Sequence, residues 1–189
     1  MICYLLKSIR LFFLLFFAGA LSYGDACGQE KTLKSFFSEL GIESLANAKA
    51  PAFELVTLNR ESISLKQYKD RLLILHFWAT WCKPCRTEMP ELDNLSKKLA
   101  GQPIAVLGIS IDKKSDGPKI SDAIKSMGIH FPIAAAYSGK ISDAYWTWGV
   151  PVTYLINSDG KILGRLRGPR KWTDSRMLAF LQFALSLRN

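Results

Sequence analysis

Cysteine and histidine are scarce in this chain, with four of the first and two of the second among 189 residues. Cys3, Cys27, Cys82 and Cys85 are too few and too unevenly spread to staple a small disulfide scaffold. Long apolar runs are also lacking. The run Leu11 to Leu21 has 11 residues, and carried on to Gly24 it has 14, whereas a membrane-spanning helix needs about 20. No stretch of five or six like charges occurs, although Lys and Arg outnumber Asp and Glu by 25 to 16. The densest basic group, Arg165, Arg167, Arg170 and Lys171, falls on a strand-and-turn pattern rather than on a basic helix, so nucleic acid is not an expected partner. Internal repeats and low-complexity tracts are missing too. With 12% aromatic residues the chain is not of the disordered type.

What is present begins with an address. Lys7 and Arg10 precede the apolar run, and small residues follow it before Asp25, the first acid. That order of basic, apolar and small residues predicts a secretory signal peptide over residues 1–26, or the same segment kept as an uncleaved membrane anchor. Ala18-Gly19-Ala20 and Gly24-Asp25-Ala26 both fit a small-x-small cleavage site. The second would leave Cys27 as a new N-terminus open to lipid attachment. Export puts the protein in the periplasm, soluble or anchored on the periplasmic face. Without residues 1–26 there remain 23 basic and 15 acidic residues, a net of +8. That excess reads as a solvated positive surface, with attraction to anionic membrane or acidic partners as the alternative.

Residues 27–50 read as a linker with a short amphipathic helix. Leu33, Phe36, Phe37 and Leu40 recur at helical spacing, and Thr32 or Ser35 could cap them. Residues 51–189 are enough for one compact core. Phe53–Leu58 and Ser62–Leu65 predict a hairpin, and the apolar runs at Arg71–Trp78 and Ile104–Ile111 predict strands covered on both faces. A helix is expected from Cys82 to about Leu99, interrupted at Pro90, and another over Asp116–Met127 ended by Gly128. Val152–Ile156 and Lys161–Leu166 flank the turn Asn157-Ser158-Asp159-Gly160, and Thr173 opens a terminal helix to Leu187. This succession predicts an α/β fold with helices on both faces of a sheet.

The chemistry concentrates at Cys82-Lys83-Pro84-Cys85, which follows a buried strand and opens a helix. A disulfide between residues three apart closes a small ring and can open without moving the fold. At a helix N-terminus the unpaired N–H groups and the dipole favour a thiolate, and Lys83 pushes the same way. Pro84 is tolerated in the first turn, where its missing N–H has no partner to lose. These influences make Cys82 the attacking sulfur and Cys85 the resolving one. A zinc site would need a second ligand pair, and Cys27, His76 and His130 do not supply one at ligand spacing. A purely structural disulfide is the remaining alternative.

The run His76-Phe77-Trp78-Ala79-Thr80-Trp81-Cys82-Lys83-Pro84-Cys85-Arg86-Thr87-Glu88-Met89-Pro90 resembles the thioredoxin superfamily, and within it the TlpA/ResA-like exported thiol-disulfide oxidoreductases. Gly149-Val150-Pro151-Val152-Thr153, the turn Asn157-Ser158-Asp159-Gly160-Lys161 and Arg167-Gly168-Pro169-Arg170-Lys171-Trp172 are similar as well. The resemblance runs from about Pro51 to the C-terminus. It implies a thioredoxin-like fold, a central mixed sheet flanked by helices, with an N-terminal hairpin and a central insertion within Asp116–Trp148. It also implies a redox disulfide Cys82–Cys85, a cis bond before Pro151, and a substrate edge formed by Trp81, Lys83, Pro84, Val150 and Pro151. Glu88 matches an acid that could shuttle the proton of Cys85, the alternative being a solvated helix residue. His76 stands where thioredoxin has a buried Asp and relatives often have Asn, and reads as a proton relay or as core packing. Trp78 is expected beneath the disulfide, and Trp146 and Trp148 beside the substrate or packed in the fold.

The activity so implied is reduction of disulfides in oxidised client proteins, with a membrane thiol-transfer protein as electron donor and no cofactor or metal. Assembly of cytochrome c is one compatible setting. A disulfide-forming oxidase or isomerase is the alternative within catalysis. A non-enzymatic copper carrier is the alternative outside it, since thiolates suit copper(I).

Overall fold

Strand β4 (Leu72–Trp78) is buried at all seven positions, as an unbroken apolar run requires of a strand covered on both faces. Around it the computed structural model, which describes residues 32–45 and 48–187, builds a six-stranded mixed sheet. On one side β4 runs parallel to β5 (Ile104–Ser110), and β5 parallel to β6 (Ile133–Ala135). On the other side β4 is antiparallel to β7 (Val152–Ile156), and β7 to β8 (Ile162–Arg167). The edge strand β1 (Glu43–Ser44) pairs with β8, giving the order β1-β8-β7-β4-β5-β6. A separate hairpin joins β2 (Glu54–Val56) to β3 (Ser62–Ser64). It is tied to the sheet where the Leu58 N–H donates to the Ile133 carbonyl at 3.0 Å. The expected signal peptide, both cleavage sites, Cys3 and Cys27 lie outside the described residues.

Alternation along β4 divides the core into two layers. Leu72, Ile74 and Trp78 share one layer with helices α1 (Leu33–Leu40), α2 (Lys83–Lys98), α3 (Gly117–Met127) and α5 (Ser175–Ser186). Leu73, Leu75 and Phe77 pack in the other, with Phe53, Ile63 and the short helix α4 (Lys140–Ala144). Helix α3, strand β6 and helix α4 fill the stretch where an insertion is expected. Among the described residues no helix is long and apolar enough to cross a membrane.

Two local expectations are corrected. Helix α2 runs through Pro90 without interruption. Pro90 removes one intrahelical bond, while Cys85, Met89, Leu92 and Leu95 on either side stay clamped in the core and hold both halves in line. The last helix begins at Ser175, not Thr173, because the Asp174 carboxylate accepts the Arg176 N–H at 2.9 Å. The short amphipathic helix expected before residue 51 is present as α1, and the strand β1 follows it. Thr32 and Ser35 form a reciprocal cap on α1 and Gly41, at φ 60°, closes it. Phe36 then packs on Phe180 and Phe183 with ring centroids 5.7 and 5.3 Å away. Burying such a ring stabilises by about 1.5–3 kcal/mol, enough to hold a helix of eight residues that would not persist alone.

Candidate active site

The sheet delivers two cysteines to the mouth of α2. Strand β4 ends at Trp78, and the turn that follows is held by Asp112, just beyond β5. The Asp112 carboxylate accepts the Thr80 N–H at 3.0 Å and the Thr80 hydroxyl at 2.6 Å, and its other donor is the Ser110 hydroxyl at 2.7 Å. Cys82 then caps α2, its Sγ accepting the Cys85 N–H at 3.2 Å. The two sulfurs are joined in a disulfide, with Cα atoms 5.3 Å apart. Exposure separates them, because Cys82 keeps 4% of its surface and Cys85 none. A partner arriving from solvent therefore meets Cys82 first. No acid stands in the first turn of α2 to offset the positive end of its dipole.

The loop before β7 closes over the same sulfur. Val150–Pro151 is a cis peptide bond, and the Val150 carbonyl oxygen lies 3.5 Å from Cys82 Sγ, where a reduced thiol can donate to it. Trp81, Lys83 and Pro84 are exposed around Cys82, whereas Trp78 is wholly buried. Trp146 and Trp148 point to solvent.

Glu88 lies one helical turn beyond Cys85 on the sheet-facing side of α2, buried rather than solvated. Its Oε2 accepts the Arg170 N–H at 2.7 Å and the Trp172 indole N–H at 3.2 Å. Burial pushes its carboxyl up to about 7, against the pull of those two donors. His76 occupies the α2-facing side of β4 between Ile74 and Trp78. Its Nδ1 is 2.9 Å from the Thr153 hydroxyl, on the residue it opposes across β7. Its Nε2 faces Glu88 Oε1 at 3.7 Å. Burial pushes the imidazole down to about 3, so the ring is neutral. His130 is elsewhere, with Nδ1 3.1 Å from the Asp93 carboxylate.

Sequence reasoning misses two supports of the site. One is Asp112, which looks like any acid after a strand. The other is the pair Arg170 and Trp172, whose motif is visible but whose task of holding Glu88 is not. A buried tryptophan so close to a Gly-Pro turn is the only available signal.

A redox disulfide at the N-terminus of a helix, on a mixed sheet flanked by helices and beside a cis-proline loop, defines a class. The chain is a thioredoxin-like enzyme, a thiol-disulfide oxidoreductase of the ResA/DsbE type. It belongs to the AhpC/TSA family, whose model matches residues 46–165. It is 32% identical over 119 residues to the thiol-disulfide oxidoreductase ResA of Bacillus thuringiensis, covering 63% of this chain and 68% of that one. The thioredoxin-like protein YneN of Bacillus subtilis is 36% identical over 125 residues, covering 66% and 71%. Among solved structures, a thiol:disulfide interchange protein of the thioredoxin family from Chlorobium tepidum superposes with a TM-score of 0.64 at 28% identity. That match covers 74% of this chain and 97% of the other.

Proposed function

We propose that this protein is an exported, periplasmic reductase of disulfides in client proteins, recharged by a membrane thiol-transfer protein. The observation that carries the reading is the unequal access of the two sulfurs, with 4% of Cys82 open to solvent and none of Cys85. In the reduced protein the Cys82 thiolate attacks one sulfur of the client disulfide. That bond breaks, the first client thiolate leaves, and a mixed disulfide forms on Cys82. Cys85 gives its proton to the Glu88 carboxylate and attacks the Cys82 sulfur, so the second client thiolate leaves and the Cys82–Cys85 disulfide closes. Two electrons have passed to the client, and a membrane dithiol returns them. Trp81, Lys83, Pro84, Val150 and Pro151 form the edge that meets the client, and His76 acts through Glu88. Export rests on the order of basic, apolar and small residues in 1–26. The Lys83-Pro84 dipeptide supports the reducing direction.

The role assignment is tested by trapping. Cys85→Ala accumulates mixed disulfides with client proteins and Cys82→Ala does not, while equal trapping by both overturns it. Direction is tested by the potential of the pair in thiol buffers. It is expected nearer the about −270 mV of thioredoxin than the about −120 mV of a strong oxidant. The second value would make the protein a disulfide-forming oxidase.

A further inference from the structure

Six large hydrophobic side chains are exposed among the described residues, and three of them are tryptophans on the two loops that flank Cys82. Trp81 is 68% exposed, Trp146 64% and Trp148 88%. Trp81 adjoins Cys82. Trp148 is two residues before Val150, whose carbonyl touches Cys82 Sγ, and two residues span at most about 7 Å.

The loop that carries Trp146 and Trp148 is built to turn them outward. Tyr145 is buried and its hydroxyl donates to the Pro51 carbonyl at 2.7 Å. Thr147 is buried, with its N–H and hydroxyl both donating to the Ser142 carbonyl, at 2.9 and 3.2 Å. Between these anchors Trp146 has φ 48°, a left-handed conformation that costs a bulky residue about 1–3 kcal/mol. The Trp146 N–H donating to the Asp143 carbonyl at 3.0 Å, with the Tyr145 and Thr147 anchors on either side, holds that conformation. The apolar area of the two outward indoles is left for a partner to cover.

The charge at the first turn of α2, on the Cys82 side of the tryptophan loop, is positive, whereas Asp143 is the exposed acid just before Trp146. Lys83 and Arg86 are exposed on the first turn of α2 and, with Thr87 and Met127, line a groove of about 450 Å³. Neither cation has an ion-pair partner among the described residues, and the positive end of the helix dipole adds to their field. An approaching chain is favoured if it is acidic on that side and apolar on the tryptophan side.

We propose that Trp81, Trp146 and Trp148, with Lys83 and Arg86, form a docking surface for client polypeptides. It selects an oxidised cysteine that has an aromatic residue on one side and an acidic residue on the other. The selection rests on the reading of Cys82 as the sulfur that attacks client disulfides, and adds to it the chemistry of the preferred client.

Two nine-residue peptides test it, each with a single cysteine held as a mixed disulfide with thionitrobenzoate. One has Phe two residues before the cysteine and Glu two after, and the other has Ser and Lys there. Attack by Cys82 releases thionitrobenzoate, and closure by Cys85 releases the peptide thiol, so the protein is oxidised by two electrons as the mixed disulfide is reduced. The pre-reduced protein reacts about tenfold faster with the Phe/Glu peptide, the equivalent of about 1.4 kcal/mol. In the double variant Trp146→Gly, Trp148→Ala, with folding verified by urea titration, the preference shrinks to about twofold when each rate is taken relative to hydroxyethyl disulfide. Equal rates for the two peptides, or an undiminished preference in the variant, overturns the docking surface. Failure to react with hydroxyethyl disulfide overturns the exchange reading itself. A stable dimer of the parent protein that the double variant dissolves assigns the rings to a second copy of the chain and also overturns the proposal.

Discussion

His76 Nε2 and Glu88 Oε1 face each other 3.7 Å apart in the interior, and neither atom has a hydrogen-bond partner among the described residues. Every other polar atom of the two side chains is engaged, His76 Nδ1 by Thr153 and Glu88 Oε2 by Arg170 and Trp172. Burial pushes both groups toward their neutral forms, the carboxyl upward and the imidazole downward. The two therefore behave as one buried acid-base unit beneath the disulfide helix, with the carboxyl holding a proton until the pH approaches 7.

This unit sets opposed slopes of stability against pH. Glu88 is raised from 4.5 to about 7 on folding, so the stability of its protonated form is whole below pH 4.5 and lost as pH rises to 7. His76 is lowered from 6.5 to about 3, so the stability of its neutral form is whole above pH 6.5 and lost as pH falls toward 3. Between pH 4.5 and 6.5 the slopes oppose, each at most about 1.4 kcal/mol per pH unit. His76→Asn exposes the Glu88 slope, and unfolding free energy falls by about 2 kcal/mol across that window relative to the parent. Glu88→Gln exposes the His76 slope, and it rises by about the same amount. Urea titrations at several pH values check this, and slopes parallel to the parent in both variants contradict it.

Closure of the mixed disulfide should report the same carboxyl. As Glu88 ionises near pH 7 it becomes able to take the Cys85 proton, so the single-turnover closure rate rises through that pH. In Glu88→Gln the rise near 7 disappears and closure at pH 7 slows about 100-fold. Stopped-flow release of a peptide thiol from Cys82 measures it. A retained rise would assign the proton to another group.

How far the site was legible follows from the sequence separation of its parts. Cys82 and Cys85 lie three residues apart at a helix start, and the strands β4 and β5 are continuous apolar runs, so each could be read locally. The turn Asn157–Gly160 was legible for the same reason, since Asn157 Oδ1 accepts the N–H groups of Asp159 and Lys161. The burial of Glu88 was not, because its cover comes from Arg170 and Trp172, 82 and 84 residues on. His76 meets Thr153 only through strand register, and Asp112 meets Thr80 only because two strand ends lie side by side. Pro90 misled because local helix rules omit the packing on either side of it.

Asp112→Ala should loosen the turn that presents Cys82. The change orphans the Thr80 N–H and leaves the Thr80 and Ser110 hydroxyls without their acceptor. Losing an acceptor for buried donors costs about 1–3 kcal/mol apiece, and solvent reaching the turn recovers part of it. A net loss of about 2–3 kcal/mol in urea titration is expected. Faster hydrogen exchange at Thr80 and Trp81 should accompany it. Loss of stability without faster exchange there would place the role of Asp112 in the core instead.

Gly164→Ala tests whether the segment before residue 51 belongs to the fold. A Cβ at Gly164 would run into the Ile42 side chain and stand 3.2 Å from the Glu43 carbonyl oxygen, on the edge strand paired with β8. Ile42 is buried and Gly164 lies opposite Ser44 in the register, so β1 cannot stay seated without shifting. Overpacking of this kind costs about 1–3 kcal/mol, and here it falls on a two-residue strand anchored by the Arg165–Glu43 ion pair at 2.6 Å. The expected result is a modest stability loss with exchange protection lost at Glu43 and Ser44, while the redox reaction with hydroxyethyl disulfide continues. Retained protection at β1 would show that the helix α1 and its strand are held by Phe36 and the ion pair alone, with no demand on the residue at position 164.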